Sequence, residues 1–152
     1  VVVRGRENIA PLVSTVVKNT RIIQQTTLDA AAGTMDPDAY AMFLDALPKQ
    51  QRMLIQSNCL VLPFFRQSSL NFFASAWAAV ENILLAATAE GLSCAFRIPV
   101  GDESGHVKRI VGAPEEYEFT CFLAIGYAAD DAHINRQKEI RIDDRIHENI
   151  WS

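Results

Sequence analysis

Apolar positions between Ala74 and Gly91 (ASAWAAVENILLAATAEG) run nearly all the way round a helical wheel. They include Trp77, Val80, Ile83, Leu84, Leu85, Ala86 and Ala87. A helix of this kind stays in water only when it is covered on most sides. From Asn71 to Glu90 it would extend about 30 Å, at ~1.5 Å per residue. The run is short and Ala-rich, and Glu81, Asn82 and Glu90 interrupt it, so it does not read as a bilayer span. In a chain of 152 residues, the surface needed to cover it points to a second subunit.

The same reading yields the other elements. Val1 to Val3 is a β-branched run that reads as a strand already under way, and Arg4 to Glu7 forms a turn after it. Asn8 is placed to cap a helix whose apolar face carries Leu12, Val13, Val16 and Val17. Arg21 to Met35 has no clear period and is broken by Gly33. Asp36 can cap a further helix, with Pro37 at its first position. That helix carries Tyr40, Phe43, Leu44 and Leu47, and Pro48 is expected to close it. Leu60 to Leu62 reads as a buried strand ended by Pro63, followed by a loop from Arg66 to Asn71. Ser69 or Asn71 can cap the long helix, and Gly91 suits its C′ position. Leu92 to Gly101 connects it to a short amphipathic helix over Glu103 to Val111, through Val107 and Ile110. Phe119 to Tyr127 (FTCFLAIGY) reads as a strand at the centre of a sheet covered on both faces. Helices and strands mix without regular βαβ alternation, which predicts an α+β domain spanning residues 1–152.

Composition narrows the function. The net charge is −4 and the pI about 5.3, which excludes a general nucleic-acid binder. Cys59, Cys94 and Cys121 are odd in number and widely spaced, with no C-x-x-C pair. They read as reduced thiols of a cytoplasmic protein rather than a disulfide scaffold or a zinc site. No signal peptide or lipidation motif is visible.

Candidates for chemistry are few. G-x-S-x-G, H-E-x-x-H, Walker A and G-x-G-x-x-G patterns are absent from the sequence. His106, His133 and His147 are scattered and suit surface or structural roles, and the pair Asp143-Asp144 suits a solvated tail. We therefore assign no catalytic side chain and no metal site. Such a chain either does no chemistry or borrows a cofactor to do it. The segment Phe96 to Gly101 (FRIPVG) can lie flat against an aromatic ring and offer backbone N–H groups to ring heteroatoms. Its composition fits an ordinary connection with a small hydrophobic plug equally well. Arg136, Lys138 and Arg141 form a basic group in the tail of an acidic protein, able to neutralise a phosphate.

The order of these pieces resembles the C-terminal two-thirds of the FMN-dependent nitroreductase family. The carrying residues are Asn82-Ile83-Leu84-Leu85-Ala86-Ala87, Gly91-Leu92-Ser93, Pro114-Glu115 and Ile125-Gly126-Tyr127. The resemblance runs from about Ser69 to Trp151 and is vague between Thr20 and Met53. It implies a mainly antiparallel central sheet flanked by helices. The long buried helix would lie at a homodimer interface, where two FMN sites sit. Ile98, Pro99, Val100 and Gly101 match the loop that approaches the flavin near N5 and O4. Arg136 and Lys138 match basic residues that reach the FMN phosphate, and Arg141 is a further candidate. The implied activity is electron transfer from NAD(P)H to a small-molecule acceptor such as a nitroaromatic or a quinone, without nucleic-acid or membrane partners. The family's arginine-rich R-R-S type motif has no counterpart here, so the resemblance implies a domain lacking its N-terminal segment. A non-catalytic dimeric module that has lost the flavin is the alternative, and related folds carry out dehalogenation or flavin fragmentation.

Overall fold

The computed structural model describes residues 1–23, 25–66, 70–130, 132 and 146. Its central sheet joins β1 (Val2–Arg4), β2 (Cys59–Val61), β6 (Phe122–Gly126) and β4 (Ser93–Arg97), in the spatial order β1-β2-β6-β4. All three pairings are antiparallel. Alternation along these strands sorts the side chains into two layers. Leu60 lies opposite Ala124, and both join Ile9, Leu12, Leu54 and Phe122 in the larger core. Val61 lies opposite Leu123, which packs on the other face with Val80 and Cys121. Phe122, Leu123 and Ala124 of the middle strand are all buried, as its unbroken apolar run predicts.

The expected strand over Phe119 to Tyr127 is two strands. β5 (Tyr117–Phe119) leaves the main sheet to pair with β3 (Phe64–Arg66), a strand lying at the end of the apolar run after Pro63. Phe119 holds the corner, with its ring 5.5 Å from Phe64 and 4.8 Å from Phe122.

Helices α1 (Arg6–Leu12), α2 (Val16–Ile23), α4 (Pro37–Gln56) and α6 (Glu103–Val111) supply Ile9, Leu12, Val16, Leu54 and Val107 to the larger core. α3 (Gln25–Thr34) occupies the stretch that has no readable period, Gly33 included. The single helix expected after Asn8 is split into α1 and α2 by a turn at Val13–Thr15. Pro11, inside α1, lacks the N–H that would bond back along the helix. Asn8 is not the cap. Gly5 holds that position at φ +85°, and Asn8 Nδ2 donates to the Arg4 carbonyl at 2.8 Å.

Pro48 does not end α4, which runs on to Gln56. Packing outweighs the proline. Leu54 is fully buried, and Gln51 Nε2 donates to the Val13 carbonyl at 2.7 Å, so the second half is fastened to the core. The side chains of Phe43 and Leu47 lie outside the described set.

The long helix is α5 (Leu70–Ala89). Its end is a Schellman motif, as Gly91 predicts. Leu92 N–H donates to the Ala87 carbonyl at 2.9 Å and Gly91 N–H to that of Thr88 at 3.0 Å, with Gly91 at φ +73°. Of its two candidate caps, Ser69 lies outside the described residues and Asn71 lies within the helix. Ala76, Val80 and Ala87 are buried against the sheet, while Trp77, Ile83 and Leu84 are half-buried. The opposite face, with Ala74, Ala78, Asn82, Leu85 and Ala89, is exposed. One chain therefore covers one side of the helix, not most sides. Asn71–Ala89 is long and apolar enough to cross a membrane by length and composition alone, a measure that core helices of folded domains also meet. The packing of Val80 and Trp77 onto the sheet is what ties it to this domain.

Candidate functional site

β4 was not expected within Leu92 to Gly101, because its pattern is carried by pairing with β6 rather than by composition. The pairing puts Phe96 opposite Leu123 and Arg97 opposite Phe122. Phe96 thus faces the α5 side, where its ring lies 6.2 Å from Trp77. Trp77 continues into Phe73 at 6.4 Å, and Phe73 into Phe65 at 5.8 Å. Phe96 and Phe73 are each about half exposed, so this edge-to-face row forms an open apolar wall.

Arg97 faces the other way, into the core, and only 6% of it is exposed. A guanidinium has five N–H groups, and here all five are used. Nε donates to Gln50 Oε1 at 3.2 Å. One terminal nitrogen serves the Ile98 carbonyl at 3.2 Å and Glu103 Oε2. The other serves Thr20 Oγ1 at 2.9 Å and Glu103 Oε1 at 2.9 Å. Glu103 is fully buried, and this fork-on-fork pairing with satisfied neighbours is what makes a buried ion pair tolerable. Thr20 in turn donates to the Val16 carbonyl at 2.8 Å.

The turn between β4 and α6 carries the four predicted ring-facing residues. Ile98 is 53% exposed, Pro99 and Val100 are half-buried, and Gly101 is exposed at φ +60°. A side chain would be strained at that Gly101 conformation. Val100 N–H donates to Glu103 Oε2 at 3.1 Å. No described residue accepts from Gly101 N–H. Asp102 is held from α2, accepting from Asn19 Nδ2 at 2.6 Å. Ile98, Pro99, Val100 and Gly101 thus form the turn that follows β4, whose residue Phe96 ends the apolar wall. Arg136 and Lys138 lie outside the described residues, as do Arg141, Asp143, Asp144, His133 and His147.

Other candidates resolve into structural roles. His106 Nε2 lies 2.8 Å from the Pro11 carbonyl and 3.2 Å from Ser14 Oγ, tying α6 to α1. The three cysteines are free thiols. Burial pushes the Cys94 thiol up, and the Cys121 thiol up to about 11. Among the described residues no group of His, Cys, Asp or Glu is arranged to hold a metal ion.

An exposed glycine whose amide has no acceptor among the described residues, next to an apolar wall, is suited to the edge of a flat aromatic ring bearing acceptor atoms. The fold that carries this turn is an α+β domain built on an antiparallel sheet. The Nitroreductase family model matches residues 3–127, and the chain belongs to that family. Its members are flavin-dependent oxidoreductases. No curated protein matches the chain at the level of sequence.

Solved structures share the fold at low identity. An iodotyrosine deiodinase bound to FMN and 3-iodo-L-tyrosine is 18% identical with a TM-score of 0.70, over 99% of this chain and 75% of that one. The FMN and NADPH-dependent nitroreductase NfnB from Sphigopyxis sp. strain HMH is 15% identical with a TM-score of 0.70, over 99% and 79%. An FMN-dependent nitroreductase from Clostridium difficile R20291 is 13% identical with a TM-score of 0.65, over 99% and 74%.

Sequence reasoning singled out the 98–101 turn but not Arg97, Glu103, Thr20 or Gln50. The one available signal was an arginine ending an apolar run, with a glutamate six residues on at a helix start.

Proposed function

We propose that this protein is an FMN-dependent oxidoreductase that moves electrons from NAD(P)H to a nitroaromatic, a quinone or a similar small acceptor. The observation that carries this reading is the half-buried turn at Pro99–Gly101, with Gly101 exposed, which follows the Phe96 end of the aromatic wall within the family's fold. Bound FMN supplies reversible hydride and electron transfer, and so accounts for the lack of a side-chain acid, base or nucleophile pattern. Ile98 and Pro99 supply apolar cover. Gly101 supplies an N–H donor that no described residue accepts. Arg136 and Lys138 are our candidates for the phosphate.

The active unit in this reading is a homodimer of single-domain subunits. Ala74, Ala78, Asn82, Leu85 and Ala89 lie along one exposed side of α5, at the three- and four-residue spacing with which helices pack. Small side chains there allow close approach, and a second copy of α5 is the matching partner. The three free thiols support a cytoplasmic setting.

The test is reduction under anaerobic conditions. FMN-reconstituted protein mixed with NADH or NADPH should lose its flavin absorption near about 450 nm and regain it when a quinone or a nitroaromatic is added. Bound flavin that neither cofactor bleaches would refute the proposed donor.

A further inference from the structure

We propose that Arg97 and Glu103 are positioning residues that fix the 98–102 turn and decide which of its amides a ligand can use. The inference rests on the reading of that turn as flavin-facing. The two side chains sit at the two ends of the turn, one on the last residue of β4 and the other on the first of α6. Their bidentate pairing closes it like a clasp. Three further bonds tie Arg97 to different parts of the chain: Thr20 on α2, Gln50 on α4 and the Ile98 carbonyl in the turn itself. Phe122 adds its ring face, 5.8 Å below the guanidinium. The arrangement leaves the guanidinium no unused donor and therefore no alternative pose of similar energy.

The consequence for a ligand lies in the middle of the turn. Glu103 Oε2 takes the Val100 N–H at 3.1 Å, and Glu103 N–H closes back on the Val100 carbonyl at 3.3 Å. The Val100 amide is captive, whereas the neighbouring Gly101 amide has no acceptor among the described residues. Glu103 thereby presents one donor rather than two to an acceptor atom arriving at the turn. Site geometry needs this kind of support, because a first layer of contacts is only as precise as the groups that hold it. The clasp also couples the turn to α2 and α4, so a change in those helices reaches the ligand through Arg97.

The test compares the wild-type protein with the paired variant Arg97→Met/Glu103→Leu, in which both charges go and apolar volume replaces them. A second variant, Arg97→Lys, keeps the charge but loses the fork, and it preserves the test if the paired variant does not fold. Amide hydrogen exchange on the flavin-free protein reads the clasp directly. Exchange at Val100 and Glu103 should speed up by about tenfold or more, while Leu123 in the central strand keeps its rate. In parallel, fluorescence titration with FMN should show affinity weakened by about tenfold. Unchanged exchange at Val100 overturns the clasp. Faster exchange with unchanged FMN affinity overturns its positioning role. A wild-type protein that takes up no FMN overturns the proposed function instead, and the exchange rates alone then decide whether the pair fixes the turn.

Discussion

Leu85→Asp separates the folding of one chain from the pairing of two. Leu85 sits on the outer side of α5 and is 60% exposed in the single chain. Fully burying a leucine side chain contributes about 1.5–3 kcal/mol, so covering the exposed 60% contributes about 1–2 kcal/mol. A two-fold interface counts each residue twice, which gives about 2–4 kcal/mol. The dimer dissociation constant should therefore rise by about 30- to 800-fold, and the added cost of burying two carboxylates makes this range a lower limit. The fold of the chain itself should hardly change, because surface substitutions stay within about 0.5 kcal/mol. Sedimentation velocity over a dilution series measures the dimer constant, and far-UV circular dichroism checks the fold. Flavin occupancy should fall in step with dissociation. A variant that stays dimeric with the wild-type constant would refute the assignment of this face.

Other perturbations test other links. Pro48→Ala restores a backbone donor within α4, so denaturant unfolding should show a gain of up to about 3 kcal/mol. No gain, or a loss, would mean that the proline is not strained there. Cys121 packs against Val80 and Leu123, and burial raises its thiol from 9.0 to about 11 in the folded state. The unfolded chain releases that proton first, so its contribution is complete below about pH 9 and fades as pH rises towards 11. Unfolding free energies at pH 8, 9, 10 and 11 should fall more steeply for the wild type than for Cys121→Ala, and parallel curves would contradict the burial argument.

Elements whose signal is local were legible in the sequence. α6 begins at Glu103 and ends at Val111 as its amphipathic spacing predicts, and Gly91 ends α5 through the motif that its backbone freedom allows. The middle strand was legible because burial on both faces demands an unbroken apolar run. Elements defined by distant partners were not legible. β3 and β4 exist through their pairing with β5 and β6, and Arg97 at the end of β4 gives no outward sign of its burial. Proline misled at Pro48, because contacts at Leu54 and Gln51 offset the missing bond. In the site, the turn was visible as a Pro/Gly pattern beside an apolar helix. Its anchors were not, because Thr20 and Gln50 reach Arg97 only after the helical layer has packed.

Flavin titration of the purified protein, followed by sedimentation of the loaded complex, bears most directly on the central claim. One FMN per subunit, absorbing near about 450 nm and carried on a dimer, is the predicted result. A monomer that shows no flavin absorption in excess FMN would contradict it.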